Sequence, residues 1–306
     1  MTTRLILDTD IGSDIDDAIA LAYLLAQPAC ELLGITTVSG EAEKRAMLAS
    51  ALCKAAGKDV PIFPGREDPF LVRQLQPSCP QADILERWPH EIHFPKYQAV
   101  RFLQDTIRSH PGEIVLLTIG PLTNIAALFA VDPQIPSLLK GMVSMCGRFK
   151  PEVEGREALE WNAMLDPHAT AMVYRNAPVS HRAVGLDVTT RVTMPTAGVI
   201  ERFRTACLPP LLDLAEAWLH EHETITFHDP LAAITVFDNT ICRFERGRVK
   251  VNIIDEHVGG RTIWQANLLG PHEVAVSVDG QRFFESFFSV FSRPLGFLRP
   301  SGSHCT

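Results

Sequence analysis

The stretch Leu5-Ile6-Leu7-Asp8-Thr9-Asp10-Ile11-Gly12-Ser13-Asp14-Ile15-Asp16-Asp17 decides how the rest of the chain is read. Arg4 to Leu7 reads as a strand whose apolar run suits burial. Asp17 to Ala26 reads as a helix, with Ala18, Leu21, Ala22 and Leu25 at helical spacing. Between and at the edges of these elements, five carboxylates fall within ten residues: Asp8, Asp10, Asp14, Asp16 and Asp17. Ligands of open parallel sheets bind at the carboxyl ends of the strands. Carboxylates crowded there repel one another and resist ionisation, and a hard divalent cation bound through oxygen relieves the repulsion. Capping of the following helix accounts for one or two Asp, but not for five directly after a strand. The spacing is not that of an EF-hand: counted from Asp8 or Asp10, the loop lacks Gly at its sixth position and Glu at its twelfth.

Outward from this loop, strand and helix patterns alternate. Glu31 to Val38 reads as a strand and Glu43 to Ala56 as a helix ending at Gly57. Glu113 to Ile119 is a strand, Leu122 to Phe129 a helix and Gly141 to Met145 a strand. Asp166 to Tyr174 is a helix capped by Asp with Pro in its first turn, and Arg182 to Leu186 is a strand. The alternation predicts one α/β domain over 1–306, with a mostly parallel open sheet covered by helices on both faces. Arg248 to Ile254, Arg261 to Leu268 and Glu273 to Val278 follow as strands in succession, an antiparallel C-terminal extension. Gln281 to Phe291 is a Phe-rich helix suited to core packing. Residues 66–95, rich in Pro, Gln and charge, read as a long loop, expected to be a flexible flap over the active site.

The bulk numbers exclude several classes. With 28 Lys and Arg against 36 Asp and Glu, the net charge is −8, and no basic run suits a phosphate backbone, so no nucleic-acid partner is expected. Seven scattered cysteines, an odd number without a CxxC pair, fit a reducing cytoplasm rather than a disulfide framework or a zinc ribbon. No secretory signal or membrane span is expected.

Asp8-Thr9-Asp10-Ile11-Gly12 followed by Asp16-Asp17-Ala18 resembles the N-terminal signature of the inosine–uridine nucleoside hydrolases, with two residues added before the double Asp. Four further segments match that family in order. They are Ile35 to Gly40, Ile119-Gly120-Pro121-Leu122-Thr123-Asn124-Ile125-Ala126, Glu160-Trp161-Asn162 with Asp166-Pro167, and Phe227-His228-Asp229-Pro230. The resemblance implies a Rossmann-like core and calcium-dependent hydrolysis of the N-glycosidic bond of ribonucleosides, with a place in nucleoside catabolism and salvage. It also implies a small-molecule nucleoside as partner and a homodimer or homotetramer.

By resemblance, Asp10 is both a calcium ligand and the general base toward the water the ion holds. Asp17, Asp229 and the backbone carbonyl of Ile119 complete the ligands. Asp16, Met145, Glu160, Asn162 and Asp229 face the ribose, and His228 protonates or contacts the leaving base. Asp8 is assigned to structure, Asp14 to solvent or to a place behind the ligands, and Asn124 to the turn after Pro121. Three departures bear on substrate choice. Glu41 stands where many members have Asn, and would add charge near the ribose if it entered the site. The flap has no recognisable family motif despite His90 and His93, and Arg148 to Leu159 is unlike the usual pattern. Two other readings share some residues. A haloacid dehalogenase-like phosphatase would use Asp8 as nucleophile and Mg²⁺, but needs a late acidic pair, whereas here the pair is early. A family member that binds nucleosides without turnover would suit the altered flap and Glu41.

Overall fold

The computed structural model describes residues 2–150, 159–178, 180–206, 209–219, 222–254 and 259–292. Its strands are β1 (Thr3–Thr9), β2 (Cys30–Thr37), β3 (Ile62–Pro64), β4 (Ile114–Thr118), β5 (Gly141–Ser144), β6 (His181–Ala183), β7 (Thr193–Pro195), β8 (Thr224–Thr226), β9 (Cys242–Val251), β10 (Thr262–Ala266) and β11 (His272–Val278). Nine form one sheet in the order β10-β9-β11-β6-β5-β4-β1-β2-β3, while β7 and β8 pair separately. From β3 to β11 every neighbouring pair is parallel; β9 runs antiparallel to both β11 and β10. The α/β sheet and its antiparallel C-terminal edge are those read from the sequence.

The chain builds outward from β1 to β2 and β3, then returns to the other side of β1 for β4, β5 and β6. The order therefore reverses between β1 and β4, which opens a crevice at their carboxyl ends. The acidic loop leaves β1 at this crevice, and Ile119-Gly120 leaves β4 beside it. Close approach there depends on Gly120: a Cβ on it would lie 2.8 Å from both the amide and Oδ1 of Asp10. The helix Asp16–Ala26 is buried along its whole length. It packs on the helices His228–Thr235 and Ala42–Ala55, which is why its sequence is apolar all round. The Phe-rich helix Gly280–Ser289 closes this side as core packing, with Phe283 and Phe287 fully buried. Phe287 stacks on Tyr23 at 5.2 Å.

Residues 66–95 lack strand or α-helical periodicity, as read, but they are anchored. They contain a 3-10 helix at Pro80–Glu86, and Gln76, Cys79, Ile84 and Trp88 are buried. Trp88 Nε1 donates to Asp213 Oδ2 at 2.7 Å, tying the loop to the helix Pro209–Leu219. Across the sheet, a buried polar chain runs from Thr118 through Ser144 and His181 to His272. Thr118 Oγ1 donates to Ser144 Oγ (2.9 Å), which meets His181 Nε2 (3.0 Å), and the two imidazole Nδ1 atoms lie 3.4 Å apart. Cys30, Cys53, Cys79, Cys146 and Cys242 are free, and Cys207 and Cys305 lie outside the described residues. Among the described residues, no helix is long and apolar enough to cross a membrane.

Candidate active site

A cavity of about 490 Å³ opens at the crevice. Asp10 and Asp14 enter it from the loop after β1, Asp16 and Asp17 from the helix that follows, Ile119 and Met145 from the ends of β4 and β5, and His228 and Asp229 from the late helix. Asp16 and Asp17 sit in the first turn of one helix and Asp229 in the first turn of another. Both helix N-termini favour negative charge. Carboxylate oxygens of Asp16, Asp17 and Asp229 lie within 4.8 Å of one another. Asp16 Oδ2 accepts from the Asp229 amide (3.1 Å) although 213 residues separate them. Asp10 stands beside this trio, its Oδ2 accepting from Gln76 Nε2 at 2.6 Å. The trio that converges includes Asp16, which the resemblance assigns to the ribose, alongside the assigned ligands Asp17 and Asp229.

Burial pushes the carboxyls of Asp10, Asp16, Asp17 and Asp229 above their ordinary range, and Asp16 reaches about 7. For Asp17, mutual repulsion from Asp10 and Asp16 adds to burial; for Asp229, Asp16 and Asp17 do so. The nearby buried cation is Arg45, and its nitrogens are committed elsewhere. Its Nε donates to Gly40 O (2.8 Å), Nη1 to Asp10 O, Ile11 O (3.1 Å) and Ser13 Oγ (3.0 Å), and Nη2 to Ser78 O (2.8 Å). Converging oxygens without a thiolate or imidazole, short of positive charge, fit a hard divalent cation.

Asp8 is not part of the cavity lining. Its Oδ2 accepts from Thr36 Oγ1 (2.5 Å) and Asn124 Nδ2 (2.8 Å), while Oδ1 has no partner. Burial raises it to about 7, against those two hydrogen bonds. It faces β2 and the helix after β4, and so is not placed as a phosphatase nucleophile. Asn124 accordingly does more than shape a turn: it also donates to Thr37 O and accepts from the Arg66 amide.

Glu160 caps the short helix Trp161–Leu165, and Asn162 lies within it. Glu160 accepts from the amides of Asn162 (2.8 Å), Ala163 (2.8 Å) and Gly147 (2.9 Å). Burial raises its pKa against those three bonds. Asn162 Nδ2 donates to the carbonyls of Ile119 (3.0 Å) and Met145 (3.1 Å). Both residues line the cavity, as does Met145. The Ile119 carbonyl thus has one lone pair engaged and one remaining.

His228 Nδ1 meets Thr189 Oγ1 at 2.7 Å, and burial lowers its pKa against the field of Asp14. Asp14 is pushed up to about 7 by burial and by Asp16. Glu41 stays out of the cavity: at φ 56° it accepts from the Cys79 amide (2.8 Å) and pairs with Lys44 (2.6 Å), which lowers its pKa. Sequence reading passed over Gln76, Trp218 and His222 and gave Trp161 no role of its own, yet all four are in the lining. Trp218 and His222 stack at 3.9 Å, four residues apart, a spacing visible in the sequence but without a motif to mark it. Residues 151–158 of the divergent Arg148 to Leu159 segment lie outside the described residues.

The family model described as inosine-uridine preferring nucleoside hydrolase matches residues 5–285. An inosine-uridine preferring nucleoside hydrolase of Leishmania major is 30% identical over 93% of this chain and 96% of its own length. Uridine nucleosidase 1 of Arabidopsis thaliana is 28% identical over 81% of this chain and 78% of its own. Among solved structures, a purine-preferring ribonucleoside hydrolase from Gardnerella vaginalis superposes with a TM-score of 0.82 at 26% identity, covering 96% of this chain and 99% of that one.

Proposed function

This chain belongs to the inosine-uridine preferring nucleoside hydrolase family, and on that premise we propose a calcium-dependent hydrolysis of ribonucleosides to ribose and free base, run from the cavity between β1 and β4. The single observation that carries the reading is the meeting of Asp16, Asp17 and Asp229 beside Asp10, from opposite ends of the sequence, in one cavity. Asp10, Asp17, Asp229 and the Ile119 carbonyl would hold Ca²⁺, with Asp16 close enough to share it. When bound, the ion orients the sugar diol and acidifies water.

The chain's own groups supply the rest. Asp10 takes the proton from the attacking water. Asn162 commits both amide hydrogens to main-chain carbonyls, so its Oδ1 is the end left to accept from a ribose hydroxyl. Asp16, Glu160, Asp229 and the Met145 side chain close around the sugar. The Thr189 hydroxyl fixes the His228 ring through Nδ1, leaving Nε2 to meet the departing base. Residues 66–95 act as the flap of a single domain over 1–306, and the same reading has the chain as a cytoplasmic homodimer or homotetramer. Glu41 gives no reason to doubt turnover, since its carboxylate is tied outside the cavity.

The test is a panel of purine and pyrimidine nucleosides assayed for reducing sugar, with and without a calcium chelator. Free ribose that disappears on chelation and returns with Ca²⁺ is expected. Absence of ribose from every nucleoside, or turnover indifferent to chelation, would contradict the reading.

A further inference from the structure

We propose that Gln76, from the loop that carries no family motif, is a positioning residue that fixes the rotation of the Asp10 carboxylate, and that Trp161 holds Gln76 in the one orientation able to do so. Gln76 is 8% exposed and lies between two groups of opposite hydrogen-bonding character. The Trp161 indole can only donate, and it donates to Gln76 Oε1 at 2.7 Å. That contact assigns the other end of the amide: Nε2 must face Asp10 Oδ2 (2.6 Å) and Ser39 Oγ (3.3 Å). Turned over, the amide would set its carbonyl against the carboxylate and its N–H against the indole N–H, losing both bonds. A glutamate here would accept from Trp161 but repel Asp10. Only a side chain with an acceptor at one end and a donor at the other satisfies both neighbours.

Through this bridge, the wall of the cavity formed by Trp161 is coupled to the lone pairs of Asp10. Trp161 is 47% exposed and lines the same cavity. With Nε2 pinning Oδ2, the carboxylate presents its oxygens to the reacting water in one direction, which is the geometric condition on a general base. The proposal rests on the reading of Asp10 as that base.

The experiment uses the intact enzyme and the best nucleoside of the panel. Gln76→Met keeps size and removes both bonds; Trp161→Phe keeps the ring and removes the N–H. Gln76→Met is expected to lower kcat by about 100-fold while KM moves by less than about three-fold. Trp161→Phe lowers kcat about ten-fold in the wild-type background and by nothing further in the Gln76→Met background, because it acts through Gln76. Independently of turnover, the indole N–H proton resonance lost in Trp161→Phe should move upfield in Gln76→Met. Two factors that simply multiply, a kcat within two-fold of wild type in Gln76→Met, or an indole resonance that stays in place would each overturn the proposal. Asp10→Asn separates the two readings. If it retains turnover, the base assignment fails; if it is inactive while Gln76→Met is not, only the positioning role fails.

Discussion

Lowering the pH from 7.5 to 5 places the buried His181–His272 pair under a defined load. The two residues face each other across β6 and β11, are at most 1% exposed, and share the polar chain that ends at Thr118. Burial, with His272 adding to it, pulls His181 from 6.5 down to about 3; burial, with Arg248 adding to it, pulls His272 to about 4. Between pH 6.5 and 4 the unfolded chain takes up both protons and the native state takes up neither. Native stability therefore falls as the pH falls through this window. At pH 5 each imidazole has cost about 2 kcal/mol, so the pair costs about 4 kcal/mol, or roughly 6 °C in Tm for a chain of this length. Asp8 works in the opposite sense. Its carboxyl is raised to about 7, so its contribution is fully present below 3.8 and is lost as the pH rises through 7. Total stability mixes the two signs, and the informative quantity is a difference. Urea unfolding followed by circular dichroism, on metal-free protein, compares wild type with His181→Gln/His272→Gln at pH 7.5 and 5. The wild type should lose about 4 kcal/mol relative to the double variant across that interval. A change below about 1 kcal/mol would mean that the imidazoles charge in the native state, refuting the sealed environment inferred from burial.

Three further outcomes follow from the site. Asp229→Ala removes one of three converging carboxylates and should weaken Ca²⁺ binding on the order of 100-fold by titration calorimetry, whereas unchanged affinity would place the ion elsewhere. Arg45→Met strands four main-chain carbonyls and Ser13 Oγ, and should cost about 3–5 kcal/mol in urea unfolding; a loss below about 1 kcal/mol would show that water replaces the guanidinium. Glu160→Gln cannot accept from all three amides without turning its NH₂ onto one of them, and should cost about 1–3 kcal/mol together with most of the turnover; full stability and activity in the variant would contradict the capping role.

Much of the sheet was legible because strands buried on both faces are continuous apolar runs. Leu5-Ile6-Leu7 and Val115-Leu116-Leu117 needed no alternation to be recognised. Ile62-Phe63-Pro64, three residues long, carries too little pattern to be seen as β3. The helix Ala99–Ser109 was also missed, although Val100, Leu103 and Ile107 stand in it at helical spacing. Within the site, the acidic loop announced itself by density, and the family resemblance supplied its partner Asp229. The capping role of Glu160 went unread for a local reason. Glutamate is not a favoured cap, and it is accommodated here because its carboxylate also takes the distant Gly147 amide. Gln76 was invisible for the opposite reason: its bonds to Asp10 and Trp161 span 66 and 85 residues, and nothing near it in the sequence signals either.

The bond between the Asp16 carboxylate and the Asp229 amide also bears on how the protein is made. A nascent chain that has reached its midpoint holds the residues of β1 through β5, yet it lacks Asp229, one of the three carboxylates that converge. The same holds for any fragment clipped upstream of the late helix. On the proposed reading, tight ion capture waits until the late helix is in place, and calcium affinity would report whether a chain extends past Asp229.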